Sequence, residues 1–260
     1  MLEVKIVKID VSTRTAHKMK DYVAEEKPLN IFLNKAYYAT IFCSPSNLKE
    51  LAIGHLLSEG ILKSFEEIEE VNLKNEACHV KIKSNIDIEK RLKLSKHFSR
   101  IITSACGSPL AYPYSGKLPK IKSNLKVKAE TILNGVKNLN LIAETFGKTG
   151  GVHAAAIYKH DGELVAFAED VGRHNAVDKV IGMAAINKTD FNAGFLALSG
   201  RLTGDIVLKA ARVGLSVIAS LAAALDSGIA IANDAGLTLV GFVRGNRMNI
   251  YTFPERILLN

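Results

Sequence analysis

Cysteine is the strongest nucleophile available to this chain, and its three copies sit in unlike settings. Cys106 lies in Thr103-Ser-Ala-Cys106-Gly-Ser-Pro109, a run of small residues that leaves a thiol accessible. Residues 90–129 around it carry ten Lys and Arg side chains and no acid. That balance favours the thiolate, which is the reactive form. Cys43 follows Thr-Ile-Phe and Cys78 falls on a predicted strand, so both read as buried small hydrophobes. An odd count with no paired spacing describes free thiols in a reducing compartment, not a disulfide framework.

Four glycine turns form a second constellation: Thr149-Gly-Gly-Val-His153, Asp170-Val-Gly-Arg173-His174, Ser199-Gly-Arg201-Leu-Thr-Gly-Asp205 and Gly241-Phe-Val-Arg244-Gly-Asn-Arg247. Glycine lets backbone N–H groups approach an anion, and a helix opening at Asp205 adds the positive end of its dipole. Residues 1–150 hold 21 Lys and three Arg, whereas residues 151–260 hold four Lys and six Arg. Three of those six, Arg201, Arg244 and Arg247, lie in the last two turns. The guanidinium fork suits phosphate. The competing reading pairs these arginines with Asp170, Asp205 or Glu255. No turn matches a P-loop or the dinucleotide fingerprint, so pattern alone names no nucleotide.

His153 and His174 are candidate ligands, acid–base groups or structural hydrogen-bonders. A zinc deaminase needs His-x-Glu and Pro-Cys-x-x-Cys. Here Ala154 and Ala155 follow His153 and no such cysteine pair exists, so no metal site is expected.

The elements that must position these residues fall into two textures. Up to residue 103 the chain reads as a small α+β domain. It has a strand over 4–9, hairpins over 29–42 and 71–82, and between them a helix from Leu48 to Gly60. That helix is opened by a capping box of Asn47 and Glu50, with Leu48, Leu51 and His55 or Leu56 on its inner face. Residues 104–128 read as a long exposed loop bearing the cysteine, and 128–146 as a helix. From Gly147 on lie fourteen of the nineteen glycines. They punctuate a hairpin over 154–168, helices over 175–186, 205–213 and 226–234, and strands over 195–198, 216–219 and 238–242. The alternation predicts an α/β domain over 129–260 with a mixed, mostly parallel sheet and helices on both faces. In such sheets ligands bind beyond the carboxyl ends of strands.

Composition bounds the rest. The net charge of +8 belongs to residues 1–150, since 151–260 carry ten bases and ten acids. The basic run over 90–129 reads as a solvated lysine loop or as a surface that draws in an anionic ligand or acidic partner. Nucleic acid is a weaker reading, because few aromatics interleave with the lysines (Phe98, Tyr112 and Tyr114) and no recognised RNA- or DNA-binding motif accompanies them. No apolar run reaches the roughly 20 residues of a membrane span, and the first residues lack a signal pattern. A soluble cytoplasmic protein is expected.

Longer strings carry a resemblance. Glu169-Asp-Val-Gly-Arg-His-Asn-Ala-Val-Asp-Lys179, preceded by Thr149-Gly-Gly-Val-His-Ala-Ala-Ala156, resembles the formate dehydrogenase accessory sulfurtransferases, the FdhD family. So do Gly200-Arg-Leu-Thr-Gly-Asp-Ile-Val207, Lys209-Ala-Ala-Arg212, the stretch from Thr238 to Arg256, Glu26-Lys-Pro-Leu-Asn30 and the stretch from Glu50 to Gly60. The resemblance implies a sulfur carrier that takes persulfide sulfur from a cysteine desulfurase. It passes that sulfur to the bis(molybdopterin guanine dinucleotide) cofactor needed by formate dehydrogenase, and a GDP-like nucleotide would mimic part of the ligand. It also implies a cytidine-deaminase-like fold without zinc. The persulfide cysteine falls on Cys106. The cofactor segment falls on Phe242, Val243, Arg244, Gly245, Asn246 and Arg247, and the glycine turns at 149–153 and 199–205, with His153 and Arg201, are expected to hold cofactor phosphates too.

Two features depart from the family's pattern. The family often has Cys-Gly-x-Cys where this chain has Pro109, so transfer would run through one persulfide. Leu221-Ala-Ala-Ala-Leu-Asp226 lacks the expected Ser, Pro or Thr. The alternatives are a non-catalytic cofactor-binding chaperone and a structural subunit of the dehydrogenase. A homodimer is one assembly open to the chain, since cofactors of this size often sit between subunits.

Overall fold

The computed structural model describes residues 1–95, 100–102 and 118–259. The chain opens with β1 (Leu2–Asp10) and β2 (Thr15–Val23), an antiparallel ribbon with exposed residues on both strands. Only its first strand is legible in the sequence, because lysines and a histidine break the alternation of the second. The hairpin of β3 (Lys27–Leu33) and β4 (Ala36–Cys43) is as predicted. Asn34 and Lys35 both take positive φ, which a two-residue type I′ turn requires. Then come α1 (Leu48–Ser58), the hairpin of β5 (Ile68–Lys74) and β6 (Ala77–Ile82), α2 (Ile88–Ser95) and β7 (Arg100–Ile102). The strands form one sheet in the order β5-β6-β3-β4-β7.

Two expectations fail locally here. Asn47 adopts φ 53° and its side chain makes no cap bond, so there is no capping box. Helix α1 is buried from Leu51 through Ser58, not along one stripe. The reason is that it lies between this sheet and a second helix, so every side meets protein.

β8 (Val127–Lys128) leads into α3 (Ala129–Ile142) and α4 (Glu144–Thr149), which divide the single helix expected over 128–146. The break is Ala143, whose ψ of 79° is not helical. There follow β9 (His153–Lys159), β10 (Leu164–Asp170), α5 (Arg173–Ile186), β11 (Gly194–Leu198), α6 (Gly204–Val213) and β12 (Val217–Ser220). The chain then runs through α7 (Asp226–Ala235), β13 (Thr238–Arg244), β14 (Arg247–Thr252) and β15 (Ile257–Leu258), the last pairing with β8. The second sheet has the order β10-β9-β11-β12-β13-β14.

The expected α/β class with helices on both faces holds. Leu196, Leu198, Ile218 and Leu239 point to the core shared with α5 and α6. Phe195, Ala197, Val217, Ala219 and Val240 point to the core under α3. Period-2 alternation between two buried faces produces strands that read as continuous apolar runs. The sheet is mixed, but it is not mostly parallel: only β11-β12-β13 run parallel. Both flanks are tight hairpins, β9–β10 and β13–β14, which can pair only antiparallel.

Helices α1 and α5 cross at backbone contact through two glycines. A Cβ on Gly54 would fall 1.7 Å from the Asp178 carbonyl oxygen, and one on Gly182 would fall 1.9 Å from that of Glu50. The apolar core is continuous from β3, β4 and α1 across this crossing to α5 and the second sheet.

Candidate functional site

Parallel strands β11, β12 and β13 end at one edge of the sheet, and the four glycine turns gather there. β9 runs antiparallel to β11, with Ala155 opposite Leu198, so His153 at its start reaches the same edge. Ser199 stitches the two strands: its Oγ accepts the Ala154 N–H at 3.0 Å and lies 3.3 Å from His153 Nδ1. Asp170 pairs with His153 in the ladder and closes β10. Helices α5, α6 and α7 all start from this edge, so the positive ends of their dipoles converge on it.

The turn from Asp170 to His174 is held from below. Asp170 Oδ1 accepts the Gly172 N–H and the Asn175 Nδ2–H, both at 2.9 Å. Its Oδ2 accepts the Ser44 N–H at 3.0 Å and pairs with Lys179 Nζ at 2.7 Å. Lys179 also donates to the Ser44 and Glu169 carbonyls. The start of α5 is thereby fixed to the end of β4. Arg173, its first residue, lies over Gly200, where an added Cβ would come 3.0 Å from the Arg173 Cβ.

Loop 221–225 works through its backbone. The Ala222 carbonyl accepts the Phe242 N–H at 3.0 Å and the Ala223 carbonyl accepts the Leu202 N–H at 2.9 Å. Alanines suffice for such a strut. β13 runs on past Val240, its last residue paired with β12, and turns through Gly245 and Asn246 into β14. The turn is a two-residue hairpin with φ 62° at Gly245, the position where a type II′ loop takes glycine.

The expected cofactor segment is thus a hairpin tip. Phe242 is half-buried and takes φ 52°, a conformation rarely adopted by aromatic residues, and the Arg244 guanidinium lies 5.1 Å from the centre of its ring. The Val243 side chain enters the core under α3, so only its backbone faces the edge. Arg244, Gly245, Asn246 and Arg247 are exposed, as is Arg201 on the neighbouring loop. No acid among the described residues pairs with Arg201, Arg244 or Arg247; Asp170, one expected competitor, is committed to Lys179. Arg212 and Arg256 instead are structural. Arg212 bonds the Ser58 carbonyl and Glu59, and Arg256 bonds Thr238 Oγ1.

Electrostatics agree with an anion site. Burial and then the guanidinium of Arg173, with Arg201 beyond it, push the His153 pKa down, so its imidazole is neutral at pH 7. Burial, Lys209 and Arg173 push His174 down to about 3. Burial and Glu59 push Asp205 up. Cys106 lies outside the described residues. Cys43 and Cys78 are buried, and burial raises their thiols to about 12 and about 11, so neither supplies a thiolate. Among the described residues no group of three or more His, Cys, Asp or Glu could hold a metal ion, and no helix is long and apolar enough to cross a membrane.

Sequence reasoning left Arg173 and His174 out of the binding set, although they stand in one of the glycine turns. It also missed the interior network that carries α5. Asp178 accepts from Ser58 Oγ at 2.6 Å and Lys209 Nζ at 2.9 Å, and lies 3.2 Å from His55 Nδ1; Lys209 also reaches Glu59 at 2.7 Å.

The model of the FdhD/NarQ family matches residues 24–258. The chain belongs to the FdhD/NarQ family. Proteins named sulfur carrier protein FdhD are similar to it along nearly their whole length. That of Sulfolobus acidocaldarius is 39% identical over 98% of both chains. That of Bacillus subtilis is 32% identical over 92% of both. A crystal structure described as that of a formate dehydrogenase accessory protein from Desulfotalea psychrophila superposes with a TM-score of 0.81, at 28% identity over 99% of each chain. The resemblance read from the FdhD motifs therefore holds across the whole fold.

Proposed function

We propose that this protein is a sulfur carrier of the FdhD kind, with sulfurtransferase chemistry on Cys106. Its nucleotide-bearing acceptor binds at the carboxyl edge of β11, β12 and β13. The observation that carries this reading is the set of three arginines, Arg201, Arg244 and Arg247, exposed where three helices start and lacking any acid partner among the described residues. Cationic forks beside open helix N-termini suit phosphates, and the names of its relatives supply the sulfur. With Cys43 and Cys78 buried and protonated, sulfur chemistry falls to Cys106.

The Cys106 thiolate attacks the terminal sulfur of a persulfide on a cysteine desulfurase, and the donor's own thiolate leaves. This exchange involves no net oxidation. The outer sulfur, as a neutral atom, would then pass to the bis(molybdopterin guanine dinucleotide) cofactor of formate dehydrogenase as the Cys106 S–S bond breaks and Cys106 leaves as its thiolate, while the arginines hold the guanine nucleotide phosphates. With Pro109 three residues after Cys106, no second thiol stands at that position to displace the sulfur prematurely.

Mass spectrometry after incubation with a desulfurase and cysteine tests the reading. One added sulfur is expected on the Cys106 peptide, and Cys106→Ala should abolish dehydrogenase maturation. Persulfide on Cys43 or Cys78, with Cys106→Ala still active, sinks the mechanism. Equal activation by loaded and unloaded protein would favour the chaperone.

A further inference from the structure

At the starts of α5 and α6, His174 Nε2 and Thr203 Oγ1 are buried and have no hydrogen-bond partner among the described residues. His174 is only 7% exposed. Leaving such groups unmatched opposes folding, so their retention calls for a reason. Thr203 is the N-cap of α6, where a hydroxyl ordinarily accepts from the first turn, yet it makes no cap bond. His174 lies one turn before Asp178 on the same face of α5. Asp178 bonds Lys209 of α6, and Arg173, the residue before His174, acts on Asp205 in the first turn of α6, so His174 sits where the start of α5 approaches α6. The charges acting most strongly on it are cationic, Lys209 and Arg173, and Arg173 sits on Gly200 of the loop that leads into α6. Two helix starts, two unpartnered buried polar atoms and a cationic rim describe a place made for an oxyanion.

We propose that the place where the starts of α5 and α6 approach each other is a second phosphate subsite, in which His174 Nε2 and Thr203 Oγ1 bond the oxygens and Arg173 and Arg201 balance the charge. It is separate from the exposed Arg244–Arg247 turn. Both could be engaged by one ligand carrying phosphates in more than one place, such as a dinucleotide. The inference rests on the reading of this edge as a nucleotide-cofactor site, and it names which side chains take the buried phosphate.

The test uses the full chain with inorganic pyrophosphate as probe, by calorimetry and thermal melting, in wild type, Thr203→Val and His174→Phe. Each variant removes a polar group that has no partner among the described residues. The unliganded variants should therefore melt at or above the wild-type temperature, while pyrophosphate affinity falls about ten-fold in each. Undetectable pyrophosphate binding in wild type, or unchanged affinity in either variant, overturns the subsite. So does lost affinity in variants that melt several degrees lower without ligand, since both groups would then be structural. Persulfide loading of Cys106 is measured on the same samples. Pyrophosphate lost from the variants with no sulfur on Cys106 in wild type would keep the subsite and sink the sulfur reading, and the reverse result would do the opposite.

Discussion

Two sets of charged side chains in this protein are treated oppositely. Between α1, α5 and α6, Asp178, Lys209, His55, Ser58 and Glu59 are linked by hydrogen bonds of 2.6–3.2 Å. Burial alone would raise the Asp178 carboxyl, but Lys209, with His55 and Ser58 behind it, outweighs that and holds its pKa below the ordinary value. At the carboxyl edge of the parallel strands, and among the described residues, Arg201, Arg244 and Arg247 have no acid partner and His174 Nε2 and Thr203 Oγ1 have no hydrogen-bond partner. The same residue types thus serve as architecture where they are mutually satisfied and as a binding surface where they are not. Residue type alone cannot separate the two; partners can.

The interior network is where the largest effect is expected. Lys209→Met leaves Asp178 and Glu59 buried beside each other with their main cation gone. Breaking one side of a buried pair should cost about 3–5 kcal/mol, read as a lower urea midpoint. The double variant Asp178→Leu with Lys209→Met should recover part of that loss, because no charge stays stranded. A single variant within about 0.5 kcal/mol of wild type would show that this network is no more architectural than the open edge.

The edge should respond in the other way. Arg244→Ala and Arg247→Ala touch no acid among the described residues, so stability should change by less than about 0.5 kcal/mol. Affinity for GDP should nevertheless fall by roughly 1.5–3 kcal/mol for each charge-assisted bond removed, measured by calorimetry. Unchanged affinity in both variants would move the site elsewhere; a large loss of stability would erase the contrast.

How legible this was in the sequence depended on what each residue answers to. The hairpins over β3–β4 and β9–β10 were readable because their turns need local chemistry: positive φ at Asn34 and Lys35, and glycine at Gly162. The glycine–arginine turns were readable for the same reason. β14 was not, since its alternation over Met248, Asn249 and Ile250 breaks at Tyr251, and it forms because the Gly245-Asn246 turn returns the chain along β13. Nor was the Gly54–Gly182 crossing, which depends on two residues 128 positions apart. The motif from Glu169 to Lys179 looked functional as a block. The structure divides it: Asp170, Asn175, Asp178 and Lys179 hold α5 in place, and Arg173 and His174 face the edge.

His174 stands on the border between the two regions, and its titration measures on which side it belongs. The facing charges are Lys209 from α6, Arg173 beside it, Asp178 one turn on, and Glu59 at the end of α1. Burial first, then the two cations, lowers its pKa from 6.5 to about 3. Between those values the unfolded chain binds a proton that the folded protein refuses. Its contribution to stability is therefore complete above about pH 6.5 and is lost progressively as pH falls toward 3. At about pH 5.5, one unit below the unfolded value, the loss is roughly 1.4 kcal/mol. His174→Phe has no such proton to refuse, so in urea unfolding it should gain about 1.4 kcal/mol on wild type between about pH 7.5 and 5.5. Other histidines titrate equally in both proteins and cancel. Saturating pyrophosphate should shrink the difference, because an anion against the ring favours its protonated form and raises the folded pKa. Parallel stability curves for the two proteins would mean that His174 already has its proton partner and belongs with the architecture.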